Sequence, residues 1–144
     1  MGVVLEGMRI FICCSKKFYD SLGNIKDILE ANGHEITLPN SFDNPNKENE
    51  MRELGAEKHG KWKGEMFNES TDKIKNNDAL LVLNFNKDDL KNYIGGATFL
   101  EMYDAFKLGK KIFLYNSIPE GMLYDEILGF NPVVIKGDLG LIKG

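Results

Sequence analysis

The chain has 144 residues, and Lys+Arg 18 against Asp+Glu 22 leave a formal net charge of −4. Hydrophobic residues at 42% and charged residues at 28% match one folded domain rather than a disordered chain. The negative charge excludes a broad basic face for a nucleic-acid polymer, and no apolar run approaches the roughly 20 residues that span a bilayer. The opening residues 1–6 are too short for a signal h-region, and Glu6 stands where a myristoylation motif needs Ser or Thr. The expectation is a cytoplasmic domain over residues 9–144, preceded by a flexible segment over residues 1–8, with no membrane partner.

Residues 9–14 are almost continuously apolar, β-branched or aromatic, which predicts a strand buried on both faces. It ends in Cys13 and Cys14. Strand neighbours point to opposite faces, so a disulfide between them is geometrically poor. With only His34 and His59 to add, no metal-ligand spacing emerges, and the thiols read as buried and inert. Leu22, Ile25, Ile28 and Leu29 carry a helical period that Asn32-Gly33 closes as a left-handed cap. Residues 34–39 read as a second strand near an edge, because Pro39 cannot donate a ladder bond.

Residues 40–49, rich in Asn, Pro and charge, read as a surface loop. From Met51 to Asn77 the pattern is helical, with Leu54, Trp62, Met66, Ser70 and Ile74 on one four-residue row. Gly55, Gly60 and Gly64 predict a short turn before the longer helix. Residues 79–85 form the strongest strand; Phe99, Met102, Ala105, Phe106 and Leu108 mark a helix ending at Gly109; residues 111–115 are a fourth strand. A short helix over residues 122–128 and a fifth strand over residues 132–135 complete the alternation. The pattern predicts a three-layer, doubly wound α/β domain, with helices on both faces of a parallel sheet of flavodoxin-like order 2-1-3-4-5.

In such a sheet a ligand lies beyond the carboxyl ends of the strands, where the order reverses. That brings together residues 14–17, the loop over residues 84–97, and Asn116-Ser117. Gly95-Gly96 before a helix allows close backbone approach to a ligand, and the free N–H groups at the helix start suit an anion. Glu101 carries two readings. Three residues after Thr98, it could complete a capping box; as a carboxylate in the first helical turn, it could serve as a nucleophile or base. Ser15 could hold a phosphate or start the turn, and Lys16 and Lys17 could meet a phosphate or be solvated. Asp88 and Asp89 could hydrogen-bond sugar hydroxyls or simply be solvated in their polar loop, and Tyr93 and Trp62 could stack on a base or pack in a core or dimer contact.

The succession of residues 77–84, the loop with Gly95-Gly96-Ala97-Thr98-Phe99-Leu100-Glu101-Met102, and Ala105-Phe106-Lys107-Leu108-Gly109-Lys110-Lys111-Ile112 resembles the nucleoside 2-deoxyribosyltransferase superfamily. That superfamily includes the 2'-deoxynucleoside 5'-phosphate N-hydrolases. The likeness covers residues 70–116 well and residues 10–15 loosely. It implies a flavodoxin-like domain, a homodimer or higher homo-oligomer, and a nucleoside or nucleotide substrate, with no metal or organic cofactor. It makes Glu101 the nucleophile that attacks the anomeric carbon, as in a retaining glycosidase, with Ser15, Ser70, Gly95, Gly96, Thr98 and Asp89 as candidate substrate contacts. The likeness departs at Phe11, where the family has a tyrosine that orients the glutamate, and at Ser70, where it has an acid. Asp72 lies about 200° around the helix from Ser70 and is a poor substitute. Beside deoxyribosyl transfer or hydrolysis stand a non-catalytic nucleotide-sensing module of the same fold and an interaction domain whose Glu101 only caps its helix.

Overall fold

The computed structural model describes residues 7–144. Residues 1–6, read above as the bulk of a flexible lead segment, lie outside the described residues. Met8, assigned to that segment from sequence, belongs to the core instead: it is 9% exposed and its N–H donates to His34 Nδ1 at 2.9 Å. The exposed Gly7 crosses Gly33 so closely that a Cβ there would meet the Gly33 carbonyl oxygen.

Five strands, β1 (Arg9–Cys13), β2 (Glu35–Thr37), β3 (Ala79–Val82), β4 (Lys111–Leu114) and β5 (Val133–Val134), form one sheet. Its order is β2-β1-β3-β4-β5 and every pairing is parallel. Five helices, α1 (Leu22–Ala31), α2 (Lys47–Glu53), α3 (Ala56–Lys75), α4 (Gly96–Lys107) and α5 (Tyr124–Gly129), fill the connections. The fold is a three-layer, flavodoxin-like α/β domain, as the alternation predicts. The strands are shorter than the apolar runs, because residues such as Leu83 and Phe85 continue beyond the paired ladder.

Alternate residues of each buried strand pack on opposite faces. Ile10, Ile12, Leu81 and Phe113 meet α1 through Leu22, Ile25 and Leu29. Phe11, Cys13, Leu80, Val82, Ile112 and Leu114 meet Ile74 of α3, Met102 and Ala105 of α4, and Ile127 of α5. On the inward row of α3, Trp62, Ser70 and Ile74 are buried, but Leu54 is 57% exposed. Gly55, at φ 108°, breaks the helix between them and takes Leu54 out of the row. The loop read over residues 40–49 is in part helical, since α2 begins at Lys47. Gly33 at φ 95° closes α1, and Gly109 at φ 69° follows α4; both take the left-handed geometry that glycine alone adopts without strain. Asp78 accepts from the Arg9 N–H at 2.9 Å and pairs with its guanidinium at 3.0 Å, tying together the starts of β1 and β3.

At the other end of the sheet, Asn84 is fully buried. Its Nδ2 donates to the carbonyls of Asn116 at 3.1 Å and Ser117 at 3.0 Å, and its Oδ1 accepts from the Asn116 N–H at 2.8 Å. This knot fixes the chain where it leaves β3 and β4. Asn84→Ala leaves these buried groups unpaired and is expected to lower unfolding free energy by about 2–3 kcal/mol. The check is a urea titration, with the midpoint falling at unchanged slope.

Candidate functional site

At the carboxyl ends of β1 and β3 a cleft of about 490 Å³ opens between the β1 exit, the segment after β2, α3 and the start of α4. Cys13, Cys14, Ser15, Ser70, Gly95, Gly96, Thr98 and Glu101 line it, so all but one of the sequence-derived site residues converge. Asp89 is the exception: it is exposed and does not line the cleft. Its loop folds back on itself through paired backbone bonds between Lys87 and Leu90, both 2.9 Å. That presents Lys87 and Tyr93, rather than Asp89, to the cleft.

The capping-box reading of Glu101 is overturned. Gly95, extended at φ −81° and ψ 171°, is the N-cap of α4, so the helix starts before Thr98. Thr98 is helical, turned inward and 4% exposed. Glu101 does not reach back to the helix start; its Oε2 accepts from the Cys13 thiol at 3.1 Å. Burial pushes the Glu101 carboxyl up to about 7, while the hydrogen bond from Cys13, the Ser70 hydroxyl and the charge of Lys73 pull against that rise. Burial and the neighbouring Glu101 charge raise Cys13 well above an ordinary thiol and Cys14 to about 12, so both keep their protons at neutral pH.

The glycines have separate roles. A Cβ on Gly95 would sit 3.2 Å from the Tyr93 hydroxyl, whereas Gly96 faces open space. With Ala97, they place the free N–H groups of the first helical turn on the cleft wall. Ser15 both borders the cleft and caps the 3-10 turn over Lys16–Ser21. Lys16 reaches the cleft mouth, whereas Lys17 is exposed. Trp62, Tyr19 and Tyr93 supply aromatic walls.

A second charged centre forms at the mouth. Glu48 of α2 meets His59 Nε2 and Lys63 Nζ, each at 3.0 Å, Arg52 at 3.6 Å and Lys16 at 3.9 Å. Burial disfavours its ionised form, but hydrogen bonds from His59 and Lys63 outweigh this and hold the Glu48 carboxyl below its ordinary value. Three fixed cations around one carboxylate leave this wall net positive. Sequence reading missed Glu48, Arg52 and Lys63, along with Cys13 and Asn40, because their spacing carries no motif. The hint for Cys13 was its place at the carboxyl end of β1. Among the described residues, no three His, Cys, Asp or Glu side chains group so as to hold a metal ion. No helix there is long and apolar enough to cross a membrane.

In comparisons with known proteins, no family model matches the chain and no curated protein matches it.

The raised Glu101 carboxyl has a consequence for stability. The folded state binds that proton more tightly than the unfolded chain, whose value is the ordinary 4.5. The cost of burying the ionised form is therefore absent below pH 4.5, grows as pH rises, and is complete above about 7. Glu101→Gln is expected to match the parent near pH 4 and to exceed it by roughly 2–3 kcal/mol at pH 8. Urea unfolding across that pH range is the measurement.

Proposed function

We propose that this chain processes the N-glycosidic bond of a nucleoside or nucleotide, by deoxyribosyl transfer or hydrolysis, with Glu101 as nucleophile. The observation that carries the reading is the Glu101 carboxylate in the cleft, 3.1 Å from a protonated thiol and titrating at about 7. A carboxylate so placed is largely stripped of water, yet still available as an ion near neutral pH. In the proposed step, a Glu101 oxygen bonds to the anomeric carbon as the C–N bond breaks. The base leaves with the electron pair and takes a proton from water. Attack by water or by a second base then frees the glutamate. The aromatic walls suit a base, and Lys16, Arg52 and Lys63 at the mouth suit an anionic substituent such as a 5'-phosphate. The chemistry needs no metal or organic cofactor, and the reading places the protein in the cytoplasm.

Incubation with deoxynucleosides and their 5'-monophosphates is expected to release free base, faster from the monophosphates. The rate should rise with pH through about 7 as Glu101 ionises, and Glu101→Ala should lower it at least ~1000-fold. No release from any of them, or equal release by the variant, overturns the reading. Ser70, a neutral residue beside Glu101, favours a second reading: a nucleotide-sensing module that has lost turnover. Thermal stabilisation by monophosphates without base release selects it.

The reading includes a homodimer. Leu100, Tyr103 and Phe106 of α4 and Tyr124 and Leu128 of α5 are 40–49% exposed, and association would take such apolar side chains out of water. Sedimentation is expected to give a dimer that Tyr103→Glu converts to monomer.

A further inference from the structure

Two arms lead toward Glu101: a hydrogen bond from Cys13, and a hydrogen-bonded link from Asn40 to Ser70, which lines the same cleft. On the first, Phe11 and Cys13 are two residues apart on β1 and so face the same side of the sheet. Both belong to the core that contains α4. Phe11 is fully buried and has no donor, whereas Cys13, one step nearer the cleft, gives its thiol proton to Glu101 Oε2 at 3.1 Å.

The second arm starts at Asn40. Its side-chain nitrogen lies 3.0 Å from the Met66 carbonyl oxygen and 3.0 Å from Ser70 Oγ. A carbonyl oxygen only accepts, so the nitrogen and not the oxygen of the amide must face Met66. Ser70 Oγ is then an acceptor toward Asn40, and its own proton is free for another partner. Ser70 and Glu101 line the same cleft, and the Ser70 hydroxyl favours the ionised form of Glu101. The fold holds this amide orientation although it leaves Asn40 Oδ1 buried with no hydrogen-bond partner, an arrangement that is costly unless something requires it.

We infer that Cys13 and Asn40 are positioning residues, Cys13 directly and Asn40 through Ser70, which hold the Glu101 carboxylate at the orientation required for attack. Both arms use neutral donors. They favour the ionised glutamate without neutralising it, as a guanidinium in contact would do. The inference rests on the proposed role of Glu101 as nucleophile for its catalytic consequence, but the clamp itself is measurable without turnover.

The experiment follows the Glu101 carboxyl by carbon-13 NMR across pH in the full chain. The groups acting on it are Cys13 from β1 and Cys14 just after it, Ser70 and Lys73 from α3, and Asp104 from α4; Tyr19 in the turn after β1 lies within the reach of its charge. The parent should titrate at about 7. Cys13→Ala removes a donor to the ionised form and should move the midpoint upward by about one pH unit. Cys13→Ser, which keeps a donor, should restore most of that change, and Asn40→Ala should move the midpoint upward through a released Ser70. Base release from the best deoxynucleotide should fall about 10- to 100-fold in kcat in Cys13→Ala, with KM unchanged and Cys13→Ser recovering most of the loss. A midpoint unmoved in Cys13→Ala, or moved equally in Cys13→Ala and Cys13→Ser, overturns the clamp at Cys13; an unmoved midpoint in Asn40→Ala overturns the second arm. If Cys13→Ala fails to fold, Asn40→Ala decides for the clamp. Failure of the catalytic reading is separate: the parent then releases no base, while the NMR midpoints still decide the clamp.

Discussion

Two parallel strands lying side by side, each buried on both faces, constrain everything else in this molecule. β1 and β3 pair from Ile10↔Ala79 to Cys13↔Val82, and at their carboxyl ends the chain turns away in both cases. Backbone and side-chain polar groups that the apolar sheet cannot satisfy collect at that edge. Asn84 takes up those of the β3 and β4 exits. The gap left as the connections after β1 and β3 diverge, toward α1 on one face and α4 on the other, becomes the cleft. It lies at the point where strand order reverses, because no connection crosses over it there.

Within that gap the charges are separated. The glutamate stands against β1, its ionised form opposed by burial and supported by a thiol, a hydroxyl and the more distant Lys73. The cations gather at the mouth around Glu48. A chain of net charge −4 thus presents a local positive wall, since a few convergent side chains set the field in a cleft more than the total does. The expectation drawn from the net charge concerns a long polyanionic backbone, and it does not extend to one small anion.

The fold was legible before any coordinates. Doubly buried strands read as continuous apolar runs, and the helices between them keep their own period, so order and layering follow from pattern alone. The misplacements have physical causes. Leu54 keeps the α3 period yet is exposed, because the left-handed Gly55 breaks the helix. Thr98 and Glu101 have the spacing of a cap, but an extended Gly95 starts the helix earlier and turns Thr98 inward. Asp89 was grouped with the cleft by loop membership, and a local hairpin-like contact turns it to solvent.

By itself, then, the amino-acid sequence determined the sheet, its order and the edge at which polar chemistry gathers, to which it brings Gly95, Gly96 and Glu101. These depend on local period and on the handed connection of neighbouring elements, both of which are written along the chain. Only the tertiary structure decided what touches Glu101. The Cys13 thiol, 88 residues away in the chain, and the Asn40 amide, 30 residues from Ser70, meet through packing, and no spacing along the sequence encodes such a meeting.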